Sequence, residues 1–359
     1  MYEGHTVGVV IPAYNEEGFV GDVVRDVPSY VDRIYIIDDC STDGTWAEIL
    51  RSSFSGTDVT NSVRSANEPG VEIWRGHRVL GSESPPDAVA DGGAEPVGPV
   101  VVPIQHDRNR GVGGAITTGY RRALRDDVDV AAVMAGDGQM DPNQLERLLD
   151  PIVEGRAEYA KGNRLLGREH ASGMSPFRLI GNVTLSILTK ISSGYWAMLD
   201  PQNGYTAISR DALEAIDLDG LYTDYGFSND LLAALNTRKV TIADVAMPAV
   251  YGDERSHIDY RTFVPNLSWL LFRRFLRRLG VRYLYRDFHP LAVMYAVGIL
   301  GTAAALVGLL TRRNPGPETD STPSNVLSAL TLAVVSTTCL LLAMIFDREA
   351  NGDLVVTER

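Results

Sequence analysis

The chain has little lysine and little cysteine. Only Lys161, Lys190 and Lys239 stand among its 33 basic residues, against 46 acidic ones, for a formal net charge of −13. Diffuse negative charge excludes a nucleic-acid surface, because a phosphate backbone is bound by clustered Lys and Arg. An acidic composition that uses arginine in place of lysine suits a high-salt cytoplasm, so a haloarchaeal source is expected. Cys40 and Cys339 lie far apart and show no metal-ligand spacing, which removes a zinc site and a disulfide framework and points to a reducing compartment. No secretory leader opens the chain, since residues 7–11 already read as a strand.

What the chain does have is length, apolar content and two long uncharged runs. Its 359 residues, 45% hydrophobic, suffice for one large α/β domain with an appendage. Residues 291–310 and 326–346 each approach the ~20 residues that cross a bilayer, and a short polar loop between them makes a membrane hairpin. Before the first run, "RRFLRRLGVRYLYRD" carries Arg273, Arg274, Arg277, Arg278, Arg282 and Arg286, against Arg312 and Arg313 in the loop. That excess places the large N-terminal part in the cytoplasm, in a multi-pass protein of the cell membrane. Trp269, Phe272, Phe275, Leu276 and Leu279 recur at helical spacing opposite the arginines, as in an interfacial amphipathic helix over 261–288. The hairpin then spans 289–346, with a cytoplasmic tail over 347–359.

Upstream, "VGVVIPAYNEE" and "DRIYIIDDCSTDGT" read as strands followed by polar loops and helices, the pattern of parallel βαβ units. Ligand chemistry in such sheets collects beyond the carboxyl ends of the strands. Residues 57–99 dissolve into Gly, Pro, Ser, Asp and Glu and read as a flexible insertion, with a short strand near 72–74. Order resumes at "VVVPIQ".

Three stretches carry chemistry. In "MAGDGQMDP" Asp141 and Pro142 make a helix start, as N-cap and first helical residue. That leaves Asp137 and Gln139 as a turn or as two oxygen ligands for a hard cation completed by substrate phosphates. "NRGVGGA" is either a helix-start loop or a phosphate cradle. "DDCSTDGT" is either a capped turn or a pair of carboxylates facing a base or ribose.

In this order, "VVIPAYNEE", "IIDDCSTDGT", "NRGVGGA", "MAGDGQMDP" and "DPQNGY" resemble the family 2 glycosyltransferases, most closely the polyprenyl (dolichyl) phosphate sugar synthases. The resemblance implies a GT-A fold, a Rossmann-like mixed α/β sheet over 1–260. It implies that Pro12, Tyr14, Glu16, Ile37 and Asp39 line the nucleoside pocket of a GDP- or UDP-hexose. Gly136, Asp137 and Gln139 would meet the diphosphate, with Asp137 and Gln139 holding Mg2+ or Mn2+. Arg164 and Arg178 would lie near the diphosphate and the lipid phosphate, Arg255 and His257 in a loop closing over the donor, and Asp230 in the place of the acidic base. Many relatives read Asp-Ala-Asp where this chain reads Ala135, Gly136, Asp137, so one acidic side chain is absent. The implied activity is inverting transfer of a hexose to a polyprenyl phosphate at the cytoplasmic membrane face, for protein or surface glycosylation. Extension of a lipid-linked oligosaccharide or glycolipid is the alternative enzyme, and a membrane scaffold with a degenerate domain the alternative without catalysis.

Overall fold

The computed structural model describes residues 1–53, 63–68, 71–75, 99–165, 176–248, 260–311 and 323–358. β1 (Val7–Ala13), α1 (Val20–Asp26), β2 (Arg33–Asp38) and α2 (Thr45–Ser53) follow in the order the alternating pattern predicts. β3 (Val63–Glu68) and β4 (Val71–Arg75) come next, then β5 (Val100–His106), α3 (Val112–Arg125) and β6 (Val130–Val133). The second half supplies α4 (Leu145–Val153), β7 (Tyr159–Asn163), α5 (Pro176–Ser193), β8 (Thr206–Ser209), α6 (Arg210–Ala215), α7 (Phe227–Thr237) and β9 (Ile242–Ala246). After α8 (Tyr260–Arg278), a π-helical stretch over Leu279–Arg286 leads into α9 (Pro290–Thr311), α10 (Pro323–Ala350) and a last strand, β10 (Val355–Glu358).

All ten strands join one sheet in the order β10-β9-β7-β8-β6-β1-β2-β5-β4-β3. β5, β2, β1 and β6 are parallel, while β8 runs antiparallel to both β6 and β7. The parallel strands are covered on both faces, which is why their sequences are continuous apolar runs and not alternations. Tyr35, Ile104, Tyr120 and Leu231 form the core under α3 and α7, whereas Val9, Ile36, Ile49 and Leu148 form the one under α1, α2 and α4.

The sequence reading differs from the structure in three places. Within the stretch expected to be an insertion, β3 and β4 pair antiparallel and extend the sheet beyond β5, β4 lying where a short strand is anticipated near 72–74. The tail is not simply a tail, because β10 returns to pair parallel with β9. Along α8 and the π-helical stretch after it the arginines do not share one solvated face. Arg278 and Arg282 are buried together with Phe275 and Leu279, while Trp269, Phe272 and Leu276 are exposed. The reason is a polar partner that the local pattern does not contain. Both guanidinium Nη atoms of Arg278 donate to Asp347 near the end of α10, at 2.8 and 2.7 Å, and Tyr283 and Trp196 donate to the same carboxylate.

Helices Pro290–Leu310 and Leu327–Ala350 are long and apolar enough to cross a membrane, and most of their surface is uncovered by protein. They pack on each other where Gly298 and Gly301 of α9 leave room for Leu340 and Ser336 of α10, the small-residue contact that lets membrane helices approach.

Candidate active site

The register of β1 with β2 and β6 brings three polar loops to one rim. Asn15, in the left-handed region at φ 57°, ties the first two together: its amide donates to Ser41 Oγ (3.0 Å) and its Oδ1 accepts from the Thr42 amide (2.8 Å). The Glu16 amide donates to Thr45 Oγ1 at 2.8 Å. Tyr14 is exposed at this rim and Pro12 half-buried. Ile37 is fully buried in the hydrophobic core, so its side chain does not face the rim.

The two carboxylates after β2 divide the work. Asp38 accepts from the Ser41 amide (3.2 Å) and from Gln105 Nε2 (2.9 Å), which fixes the turn. Asp39 accepts at Oδ1 from His106 Nδ1 (2.6 Å) and from the Arg110 amide (2.8 Å).

Beyond β6, the amides of Met134 and Gly136 still donate to Val10 and Pro12, so the chain follows β1 past the end of the strand. Gly138, at φ 73°, then reverses it, a backbone conformation that suits glycine. Asp137 Oδ1 accepts from the Gln139 amide at 3.0 Å. Asp141 caps the following turn through the Asn143 amide (3.0 Å), with Pro142 in its first position, as the sequence predicts. Asp137 and Gln139 line one cleft together with Arg164, Asn203, Tyr205 and Met247. Arg164 is held there by a two-point contact, Nε to Asp200 Oδ2 at 2.8 Å and Nη2 to Oδ1 at 3.3 Å. Burial would raise the Asp200 carboxyl, but Lys161 and Arg164 outweigh it and hold it below the usual range.

Asp137 has the opposite balance. Burial raises its pKa, and the hydrogen bond from Gln139 does not offset the rise. Among the described residues no cation pairs with it, and no group of three or more His, Cys, Asp or Glu could hold a metal alone. A desolvated carboxylate beside an amide oxygen in an open cleft fits a hard divalent cation whose remaining ligands come from a bound diphosphate.

The other predicted residues are placed as follows. Asp230, in the first turn of α7, is fully buried and does not line this cleft. Its Oδ2 accepts from the Tyr222 amide (2.7 Å) and Arg274 Nη2 (2.6 Å), and its Oδ1 pairs with Arg274 Nε, so it ties α7 to α8. Burial raises its pKa against the pull of Arg274. Arg178 belongs to α5, its side chain outside the described residues, and Arg255 and His257 lie outside them altogether.

The glycine run has a packing explanation. A Cβ on Gly113 would stand 2.5 Å from the Tyr222 carbonyl oxygen, one on Gly111 would strike that of Thr223, and the Gly114 amide donates to Thr223 O at 3.0 Å. The run admits the close approach of the backbone of residues 222–224. His106 and Asp347 are residues that sequence patterning does not single out, and the roles of Arg274 and Arg278, seen there only as part of an arginine-rich flank, are likewise defined by partners remote in the chain.

The sequence model described as glycosyl transferase family 2 matches residues 8–70 and 85–217. UDP-N-acetylglucosamine–dolichyl-phosphate N-acetylglucosaminyltransferase of Methanococcus voltae is 27% identical over 246 residues, 68% of this chain and 86% of that protein. Undecaprenyl-phosphate mannosyltransferase of Micrococcus luteus is 26% identical over 234 residues, 62% of this chain and 74% of that one. Among solved structures, glucosyl-3-phosphoglycerate synthase from Mycobacterium tuberculosis, in complex with Mn2+, UDP and glucosyl-3-phosphoglycerate, aligns over 77% of this chain and 81% of its own. The TM-score is 0.47 at 18% identity.

Proposed function

The chain belongs to glycosyl transferase family 2 and is a nucleotide-sugar glycosyltransferase, and from that premise we propose that it moves a hexose from a GDP- or UDP-sugar to a polyprenyl or dolichyl phosphate at the cytoplasmic face of the membrane. The observation that carries this reading is the cleft of Asp137, Gln139 and Arg164 on a domain that is clamped directly to two membrane-length helices. The two named relatives, which act on dolichyl and undecaprenyl phosphates, support the acceptor class.

In this account Asp39 meets the nucleoside and Asp137 with Gln139 hold Mg2+ or Mn2+ against the diphosphate. When bound, the cation offsets charge developing on the departing nucleoside diphosphate. Arg164, pre-oriented by Asp200, faces the same oxygens with a fixed fork of donors. Arg178, Arg255 and His257 complete the donor and acceptor contacts. An oxygen of the lipid phosphate attacks the anomeric carbon from the side opposite the diphosphate, so configuration inverts. That phosphate is already an anion, so the step needs no general base, in keeping with an Asp230 engaged by Arg274 and the Tyr222 amide. Exposed Trp269, Phe272 and Leu276 on α8 supply an apolar face for the lipid–water boundary.

Membranes containing the protein, supplied with radiolabelled nucleotide sugar and polyprenyl phosphate, should give a chloroform-extractable, mild-acid-labile product. Label found only in water-soluble glycan would overturn the acceptor. Asp230→Asn separates an anchoring carboxylate from a base: the anchor predicts a lowered Tm with transfer surviving in the folded fraction. A base predicts an unchanged Tm and a loss of about 10²-fold or more in kcat.

A further inference from the structure

β2 and β5 are parallel neighbours with Asp38 opposite Gln105, so the next pair in register, Asp39 and His106, meets at the rim of the sheet. Alternation sends the first pair to one face and the second to the other. His106, Asp39 and Thr118 are all nearly inaccessible to solvent, at 2%, 3% and 6% exposure. The imidazole is held at both nitrogens. Nδ1 lies 2.6 Å from Asp39 Oδ1, and Nε2 lies 2.9 Å from the hydroxyl of Thr118 on α3. An ionised carboxylate only accepts, so Nδ1 carries the proton of that contact. The Arg110 amide donates to the same Oδ1 at 2.8 Å. Both of these contacts fall on Oδ1, and neither uses Oδ2.

We infer that His106 is a positioning residue for the donor nucleotide: braced by Thr118, it fixes Asp39 so that Oδ2 is presented to a donor group of the nucleoside. The inference rests on the reading of Asp39 as a nucleoside-binding carboxylate. It makes a four-part chain, from helix α3 through Thr118 and His106 to Asp39, that sets the geometry of nucleoside recognition without touching the diphosphate. Its consequence is selective: loss of the imidazole weakens what contains a nucleoside and spares what contains only phosphates.

The test uses the purified full-length protein in detergent with Mn2+, titrated with UDP, GDP and inorganic pyrophosphate. His106→Ala should weaken binding of the preferred nucleotide about tenfold, the worth of a hydrogen bond to a charged group, and leave pyrophosphate binding unchanged. In turnover, KM for the nucleotide sugar rises while kcat stays. His106→Asn, which keeps an N–H near the place of Nδ1, should recover most of the loss. Adding His106→Ala to Asp39→Asn should cost nothing further, because the two act as one unit. Should His106→Ala fail to fold, Thr118→Val removes the brace, together with the hydroxyl's own bond to the Gly114 carbonyl within α3, and should raise the nucleotide Kd about threefold with pyrophosphate unaffected. Equal loss of nucleotide and pyrophosphate in either variant, or nucleotide binding at the wild-type level, overturns the inference. If instead Asp39→Asn itself binds both nucleotides as the wild type does, it is the nucleoside role of Asp39 that fails.

Discussion

Burial raises the pKa of the Asp137 carboxyl above its ordinary 3.8, and this has consequences of opposite sign for stability and for activity. The folded state holds the proton more tightly than the unfolded chain, so stability falls as pH rises from the unfolded pKa through the folded one, and the cost is complete above both. Asp137→Asn removes that cost and keeps an acceptor for the Gln139 amide. At pH 7 its Tm should therefore rise, by about 2–4 °C for each kcal/mol recovered, while transfer falls about 10²-fold or more. Wild-type donor binding should weaken as pH drops through the raised pKa. A variant that melts earlier than the wild type, or transfers as well, contradicts the assignment. Asp137 and Gln139 were legible in the sequence because their spacing, two apart after an apolar run, exceeds what the helix cap of Asp141 and Pro142 requires. His106 was not, since "VVVPIQ" reads as a strand whose next residue acquires meaning only when β2 lies beside it. Ile37, which the family resemblance puts beside the nucleoside, is buried instead, because a strand covered on both faces sends alternate side chains into one core and then the other.

Helices and strands show a parallel division. β1, β2 and α2 could be drawn from apolar runs and N-cap chemistry, and α2 starts at Thr45, directly after the N-cap residue types of that turn. β10 could not, because four residues carry too little pattern to be told from a tail, and its partner β9 lies more than a hundred residues earlier. For α8 the sequence shows arginines and aromatics at helical spacing but not which of them turn inward, since the acceptor for Arg278 is Asp347 across the hairpin. That network extends through Asn351, whose Oδ1 accepts from Asn236 and Arg282 and whose Nδ2 donates to Tyr283. With β10 it fastens the far end of the hairpin to the domain that carries the cleft. Asp347→Asn leaves a fully buried guanidinium without its counter-charge, a change that costs about 3–5 kcal/mol, and should lower Tm sharply. Deleting 352–359 removes β10 with the short turn before it and the ion pair of Glu358 with Arg156, and leaves the buried network intact. That variant should keep its KM for nucleotide sugar and show a raised KM for the polyprenyl phosphate, measured in the same detergent micelles. A raised nucleotide KM with an unchanged lipid KM would show that the tail serves the catalytic sheet and not the placement of the hairpin.

For the whole molecule, the return of β10 to the sheet puts the end of α10 on the same side as the start of α9, independently of any count of flanking charges. Within the arginine-rich flank before α9, Arg274 pairs with Asp230 and Arg278 with Asp347. The proposed cytoplasmic orientation rests on this arginine bias before the first span and on the need for nucleotide sugar at the cleft. The net charge of −13 makes the folded state self-repelling at low ionic strength. Since screening shortens from ~10 Å at 0.1 M salt to ~3 Å at 1 M, Tm should climb between these concentrations of KCl, and a flat or falling Tm would remove the high-salt reading. The central claim is tested most directly by anomalous scattering from a crystal of the full chain grown with Mn2+ and its preferred nucleoside diphosphate. The account predicts a manganese peak about 2.0–2.3 Å from side-chain oxygens of both Asp137 and Gln139 and from the diphosphate, the range of hard-cation oxygen contacts. A peak bound elsewhere, or a nucleotide seated with Asp137 turned into the protein interior, would contradict it.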